Sequence, residues 1–165
     1  MLWLTDCGLV HKIHRVSAPN LPLKVYEDLK AFKLFLVDVG LLSCTVGLRQ
    51  DVLLDGNELF KEFRGALTEQ YVLQQLETIK GLNIYYWTAD RGTAEVDFVI
   101  DTGSDVIPIE VKAEQNLQAK SLKVYRDRFQ PKFSIRTSMA DFKRESWLLN
   151  LPLWAIETVG SDNRS

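Results

Sequence analysis

The sequence predicts an α/β fold, a central mixed β-sheet flanked by helices. Two amphipathic helical segments, 58–80 and 117–129, bracket three β-rich segments between residues 83 and 112. Further β-rich segments precede the first helix and follow the second. The length of 165 residues, with 46% hydrophobic and 25% charged side chains, suits one globular domain, or one domain carrying a fragment of another.

The elements follow in chain order. Cys7-Gly8-Leu9-Val10 reads as a helix ending at Gly8, then an alternating strand over Val10–Val16 with no evident partner nearby. Pro19 and Pro22 interrupt regular structure, which makes residues 18–30 a linker. Phe32–Asp38 alternates and is rich in β-formers, and Val39–Leu42 turns into a short helix. Asn57 suits the N-cap of a long helix from Glu58 to Lys80, which Gly81 ends. Strands are expected at Asn83–Thr88, Glu95–Asp101 and Val106–Lys112, the last two joined by the turn at 101–105. The helix 117–129 stops at Pro131. Residues 132–138 and 153–159 read as short strands, and residues 160–165 as a fraying tail.

Composition excludes some classes. No apolar run approaches the roughly 20 residues that span a bilayer. The first residues lack the basic start and apolar core of a signal peptide. Cys7 and Cys44 are too few for a disulfide framework, so a reducing cytoplasm is expected; Cys44, among Leu41, Leu42 and Val46, reads as a core thiol. The net charge of −2 argues against a nucleic-acid partner only on average. Residues 45–110 hold 12 acids and 5 bases, net −7, whereas residues 111–144 hold 3 acids and 9 bases, net +6. That asymmetry suits an acidic metal cluster beside a phosphate-attracting face.

Side chains two apart on a strand share a face. Ile107, Ile109 and Val111 therefore form one face of their strand, with Glu110 and Lys112 on the other. In the preceding strand Val96, Phe98 and Ile100 point one way, and Glu95, Asp97 and Val99 the other. Pairing through the turn puts Asp97 and Glu110 on one face of adjacent strands. Close carboxylates repel unless a cation joins them, and Mg²⁺ takes one or two carboxylates plus waters and substrate phosphate. Lys112 would orient the attacking water or stabilise charge at phosphorus. Glu69 adds a third carboxylate: its helix neighbours Ala66, Val72 and Leu73 are apolar, so it faces the protein body and needs a partner, either the metal or Lys112.

Several segments together carry a resemblance. They are Phe32-Lys33-Leu34-Phe35-Leu36-Val37-Asp38-Val39-Gly40-Leu41-Leu42, Gly65-Ala66-Leu67-Thr68-Glu69-Gln70-Tyr71-Val72, Tyr86-Trp87, Ala94-Glu95-Val96-Asp97-Phe98-Val99 and Ile107-Pro108-Ile109-Glu110-Val111-Lys112-Ala113. From about residue 30 to 159 the chain resembles the C-terminal domain of unknown function that follows the ATPase module of many prokaryotic AAA-type ATPases. That domain is similar to the PD-(D/E)XK nuclease superfamily, which includes restriction endonucleases and Holliday-junction resolvases. The resemblance implies a restriction endonuclease-like domain over 31–159, with residues 1–17 the remnant of a winged-helix segment. Glu69 then matches the helix acid, Asp97 the "D", and Glu110 and Lys112 the "(D/E)XK"; Val96 replaces the proline. No G-x-x-x-x-G-K-[ST] occurs in the sequence, so this chain should not bind ATP through a P-loop, and it reads as a piece of a longer protein.

The expected function is Mg²⁺- or Mn²⁺-dependent phosphodiester hydrolysis on DNA. Asp97 and Glu110 would be the ligands, Glu69 a further ligand through water, and Lys112 the residue handling water. Lys120, Lys123, Arg126, Arg128 and Lys132 would contact DNA, against the competing reading of a solvated helix face. The attached ATPase and winged helix are the implied protein partners, and no membrane is expected. The alternative is a non-catalytic module that binds DNA or protein, or regulates the ATPase, on a degenerate nuclease fold.

Overall fold

The computed structural model describes residues 2–47, 58–89, 92–113 and 118–159. The Asn57 cap, Leu117 and the tail 160–165 lie outside the described residues. Helix α1 (Leu2–Asp6) ends at Gly8, whose φ of +74° is the left-handed conformation that glycine tolerates. Strand β1 (Val10–Val16) follows, then a 3-10 helix (Leu23–Tyr26), β2 (Glu27–Leu36), α2 (Val39–Thr45) and α3 (Glu58–Leu76). The second half holds β3 (Asn83–Thr88), β4 (Glu95–Asp101), β5 (Val106–Val111), α4 (Lys120–Phe129), β6 (Ser134–Ser138), β7 (Lys143–Arg144) and β8 (Leu148–Pro152). A 3-10 helix at Leu153–Thr158 follows.

The strands form one mixed eight-stranded sheet in the order β2-β1-β3-β4-β5-β6-β8-β7, the α/β class expected from the sequence. The β3, β4 and β5 run is antiparallel, and β5, β6 and β8 run parallel. Helix α3 lays Val72, Leu73 and Leu76 on one face against Phe98, Ile100, Ile107, Ile109 and Ile135. Helix α4 covers the other face with Leu122 and Tyr125, which pack on Tyr85, Trp87, Val96 and Val99. Tyr85, Tyr86 and Trp87 are therefore core residues, and burial of such apolar area is the main force closing these layers. Among the described residues no helix is long and apolar enough to cross a membrane.

Several expectations need correction. Strand β1 does have partners: it pairs antiparallel with β2 and, at Arg15 opposite Tyr86, parallel with β3. Within 18–30, residues 23–26 are 3-10 helix and β2 begins at Glu27, because that edge continues the hairpin with β1. Helix α3 stops at Leu76, and turns carry the chain to Gly81. Residues 153–159 are not a strand. Leu148–Pro152 takes the place beside β6, and Leu153, Ile156 and Val159, three apart, face the core as a 3-10 turn does. Cys44 is exposed, because α2 buries none of its residues.

The β3–β4 register slips by one between Tyr85 opposite Val99 and Trp87 opposite Val96. Strand β4 thus carries an extra residue across from Tyr86, a β-bulge. The bulge breaks the expected alternation. Val96 joins Val99 in the α4 layer, while Phe98 and Ile100 lie in the α3 layer.

Candidate functional site

The β4–β5 ladder runs from the turn to Phe98 opposite Ile109. Asp97 and Glu110 are the next residues along, abreast of each other where the two strands separate. In place of a further backbone bond, Asp97 Oδ2 accepts the Val111 N–H at 2.7 Å. The bulge thereby turns a carboxylate into the last rung of the ladder. Across the next strands Glu110 is in register with Arg136 of β6, and Arg136 with Asn150 of β8. A polar row, Asp97–Glu110–Arg136–Asn150, crosses four strands of the sheet.

Each member of the row is held differently. Glu110 is only 4% exposed, with Oε1 paired to Lys112 Nζ at 2.5 Å. Its Oε2 is buried and has no hydrogen-bond partner among the described residues. An unsatisfied carboxylate oxygen in the interior is costly, so this atom marks a place where a cation or donor belongs. Arg136, 3% exposed, donates from Nε to Asn150 Oδ1 at 3.0 Å. Asn150 also accepts from Ser138 Oγ at 3.0 Å and donates to the carbonyls of Ala140 and Asp141. Motif reading missed Arg136 and Asn150; the one local signal is an arginine inside the β-rich run Ser134–Ser138.

Glu69 faces the protein body from α3, as its apolar neighbours require, but its partner differs from expectation. Lys33 of β2, and not Lys112, lies closest, with Nζ 3.7 Å from Glu69 Oε2 and paired also with Glu95 Oε1. Burial raises the Glu69 carboxyl above its usual range, Lys33 opposes that rise, and Glu95 reinforces it. Asp97 is pushed from 3.8 to about 7, first by burial and then by the Glu69 charge; the Val111 N–H and Lys33 oppose the shift only in part. Lys33 is held above the usual lysine value by Glu69, Glu95 and Asp97, which together outweigh its burial.

The structure therefore brings Asp97, Glu110 and Lys112 together at one strand end and sets Glu69 beside Lys33. It does not gather Glu69, Asp97 and Glu110 into a three-carboxylate group. Among the described residues no set of three or more His, Cys, Asp or Glu side chains is placed to hold a metal ion. The lysines explain this: Lys112 draws one Glu110 oxygen, and Lys33 draws Glu69. Asp97 and Glu110 remain a two-carboxylate donor set, and Glu110 Oε2, without a partner among the described residues, fits a hard cation that completes its shell with water.

The five expected DNA-contacting residues do not share one face. Lys120, Lys123, Arg128 and Lys132 are exposed, and Arg126 is partly covered. Arg126 stacks over the Trp147 ring, 4.7 Å from its centroid, and pairs with Asp127 at 3.3 Å. Arg128 lies over Phe129 at 5.2 Å, and Lys132 pairs with Asp105 of the β4–β5 turn at 2.5 Å. Lys120 and Lys123, one helical turn apart at the start of α4, are the two that project together.

No curated protein and no solved structure matches the chain. A family described as Domain of unknown function (DUF8612) matches residues 1–52, covering β1 and β2. The family described as Domain of unknown function (DUF4143) matches residues 64–156, which hold Glu69, Asp97, Glu110, Lys112, Arg136 and Asn150. That match covers more than half of the sequence, and the chain belongs to the DUF4143 family.

Proposed function

We propose that this chain is a nuclease-like domain hydrolysing phosphodiester bonds in DNA with a divalent cation, Mg²⁺ or Mn²⁺. One observation carries the reading: half-buried Asp97 and buried Glu110 stand abreast at a strand end, with Lys112 on one Glu110 oxygen and Oε2 without a partner among the described residues. The order helix acid, Asp97, Glu110-Val111-Lys112 along α3, β4 and β5 suits a restriction endonuclease-like site. Asp97 and Glu110 would hold the cation, with Glu69 reaching it through water. Bound there, a divalent cation supplies charge neutralisation at the phosphate and a more acidic water. Lys112, fixed by Glu110, presents an ammonium that orients the attacking water and opposes charge developing on phosphorus. Lys120 and Lys123 offer phosphate contacts whose strength falls with salt. The domain would act as the C-terminal part of an AAA-type ATPase, in the cytoplasm, with its ATPase and winged-helix modules as partners.

A second reading is a non-catalytic DNA- or protein-binding module that regulates the ATPase. It is favoured by the two lysines, which already pair with three of the four carboxylates: Glu69, Glu95 and Glu110.

The test is cleavage of plasmid, single-stranded and branched DNA with Mg²⁺ or Mn²⁺, by the wild type and Asp97→Ala. Loss of at least about a hundredfold in rate in the variant, ~2.7 kcal/mol of barrier, is expected. Equal cleavage by the two proteins would sink the catalytic reading. Absence of cation binding and of cleavage would leave the regulatory module.

A further inference from the structure

Lys33 lies outside the catalytic motifs, yet among the described residues it is the cation paired with Glu69. Its ammonium lies 3.7 Å from Glu69 and pairs with Glu95, and it packs 5.2 Å from the centroid of the Tyr86 ring. Its side chain is only 24% exposed. The position is enforced by α3. Gln70, the residue after Glu69 and itself buried, accepts the Leu36 N–H at 2.9 Å and donates to the Leu36 carbonyl at 2.5 Å. Gln74, one turn on, accepts the Val39 N–H and donates to Asp38 at 3.2 Å each. These four bonds fasten α3 to the end of β2 and the start of α2, so Lys33 and Glu69 cannot drift apart independently. The contact also joins the two matched segments: Lys33 lies within residues 1–52, and Glu69 and Glu95 within 64–156.

We infer that Lys33 is a resident counter-cation of the carboxylate site, holding Glu69 and Glu95 in place of a divalent cation and lowering the affinity for one. The inference rests on the metal-binding reading above. A unit positive charge beside the carboxylates repels an incoming divalent ion, and at the effective dielectric of a half-buried site this costs at least about tenfold in affinity. Without that ammonium, Glu69, Glu95 and Asp97 repel one another until a divalent ion neutralises them. Lys33 is thus a positioning residue supplied by the N-terminal hairpin. It would couple that hairpin's docking to how readily the site takes a cation.

The experiment is a Mn²⁺ titration of the whole chain by calorimetry, with thermal melts in chelator and in Mn²⁺, for wild type, Lys33→Met and Lys33→Arg. Lys33→Met should bind Mn²⁺ at least tenfold more tightly. It should melt lower than wild type in chelator and gain more from Mn²⁺. Lys33→Arg keeps the charge and should bind within about threefold of wild type. Should Lys33→Met not fold in chelator, Lys33→Gln takes its place with the same expectation. Unchanged or weaker Mn²⁺ binding by the uncharged variant, with wild type still binding, overturns the role of Lys33 and leaves the metal site standing. No Mn²⁺ binding by any of the proteins overturns both.

Discussion

Replacing Asp97 with Asn removes one negative charge and keeps an oxygen that can accept the Val111 N–H. Asp97 has an ordinary value of 3.8 and is pushed to about 7 in the folded protein. Between those two values the folded chain retains a proton that the unfolded chain has released. Stability therefore falls as pH rises through this window, and levels off above about 7. At 1.36 kcal/mol per unit, one such group removes at most about 2.5 kcal/mol between pH 5 and pH 8. Glu69, also raised, acts in the same direction. Asn does not titrate, so Asp97→Asn should match the wild type near pH 5, exceed it at pH 8, and show a much shallower slope. The assay is urea denaturation followed by tryptophan fluorescence, at unit steps of pH in chelator. Parallel slopes for the two proteins would refute the argument, since the pH dependence would then arise elsewhere. Mn²⁺ at pH 8 should restore much of the lost stability to the wild type and little to the variant, because the cation needs the charge that Asn lacks.

Two further outcomes test the frame around the site. Gln70→Ala breaks both bonds to Leu36 and strands its backbone groups, which should cost about 2–3 kcal/mol in urea denaturation at constant m-value; a loss below 0.5 would show that α3 is held otherwise. Tyr125 is fully buried, its hydroxyl has no partner among the described residues, and burial raises its ionisation above the usual tyrosine range. Tyr125→Phe should therefore leave stability unchanged or raise it by about 1 kcal/mol, and a loss above 1 would reveal a hydrogen bond to that oxygen.

Much of the sheet's centre was legible because its signals are local. Asn83–Thr88 and Glu95–Asp101 are bounded by turn residues and rich in β-branched and aromatic side chains, and both form at those limits. The short helix after Asp38 was legible in Val39-Gly40-Leu41-Leu42, whereas its cap was not. Asp38 accepts the Leu41 N–H at 3.0 Å, and a Cβ at Gly40 would stand 2.8 Å from Asp38 Oδ1. The strand at 148–152 was missed because no local signal separates it from 153–159, and only pairing to β6 decides between them. The bulge at Asp97 was equally hidden. A two-residue period read along one strand cannot register an extra residue that exists only relative to Tyr86 on the next.

The same division runs through the site. Sequence by itself determined that the chain folds as an α/β sheet, that Glu110 and Lys112 share a strand face, and that Glu69 turns inward. Each of these depends on spacing along one element. Only the tertiary structure decided that Asp97 caps the ladder through the Val111 N–H, that Arg136 and Asn150 extend the row, and that Lys33, 36 residues before Glu69, is its ion-pair partner. Coulombic and hydrogen-bond partners are chosen by distance in space, and the layers that bring β2, α3 and β4 together are set by burial of apolar faces that carry none of those charges.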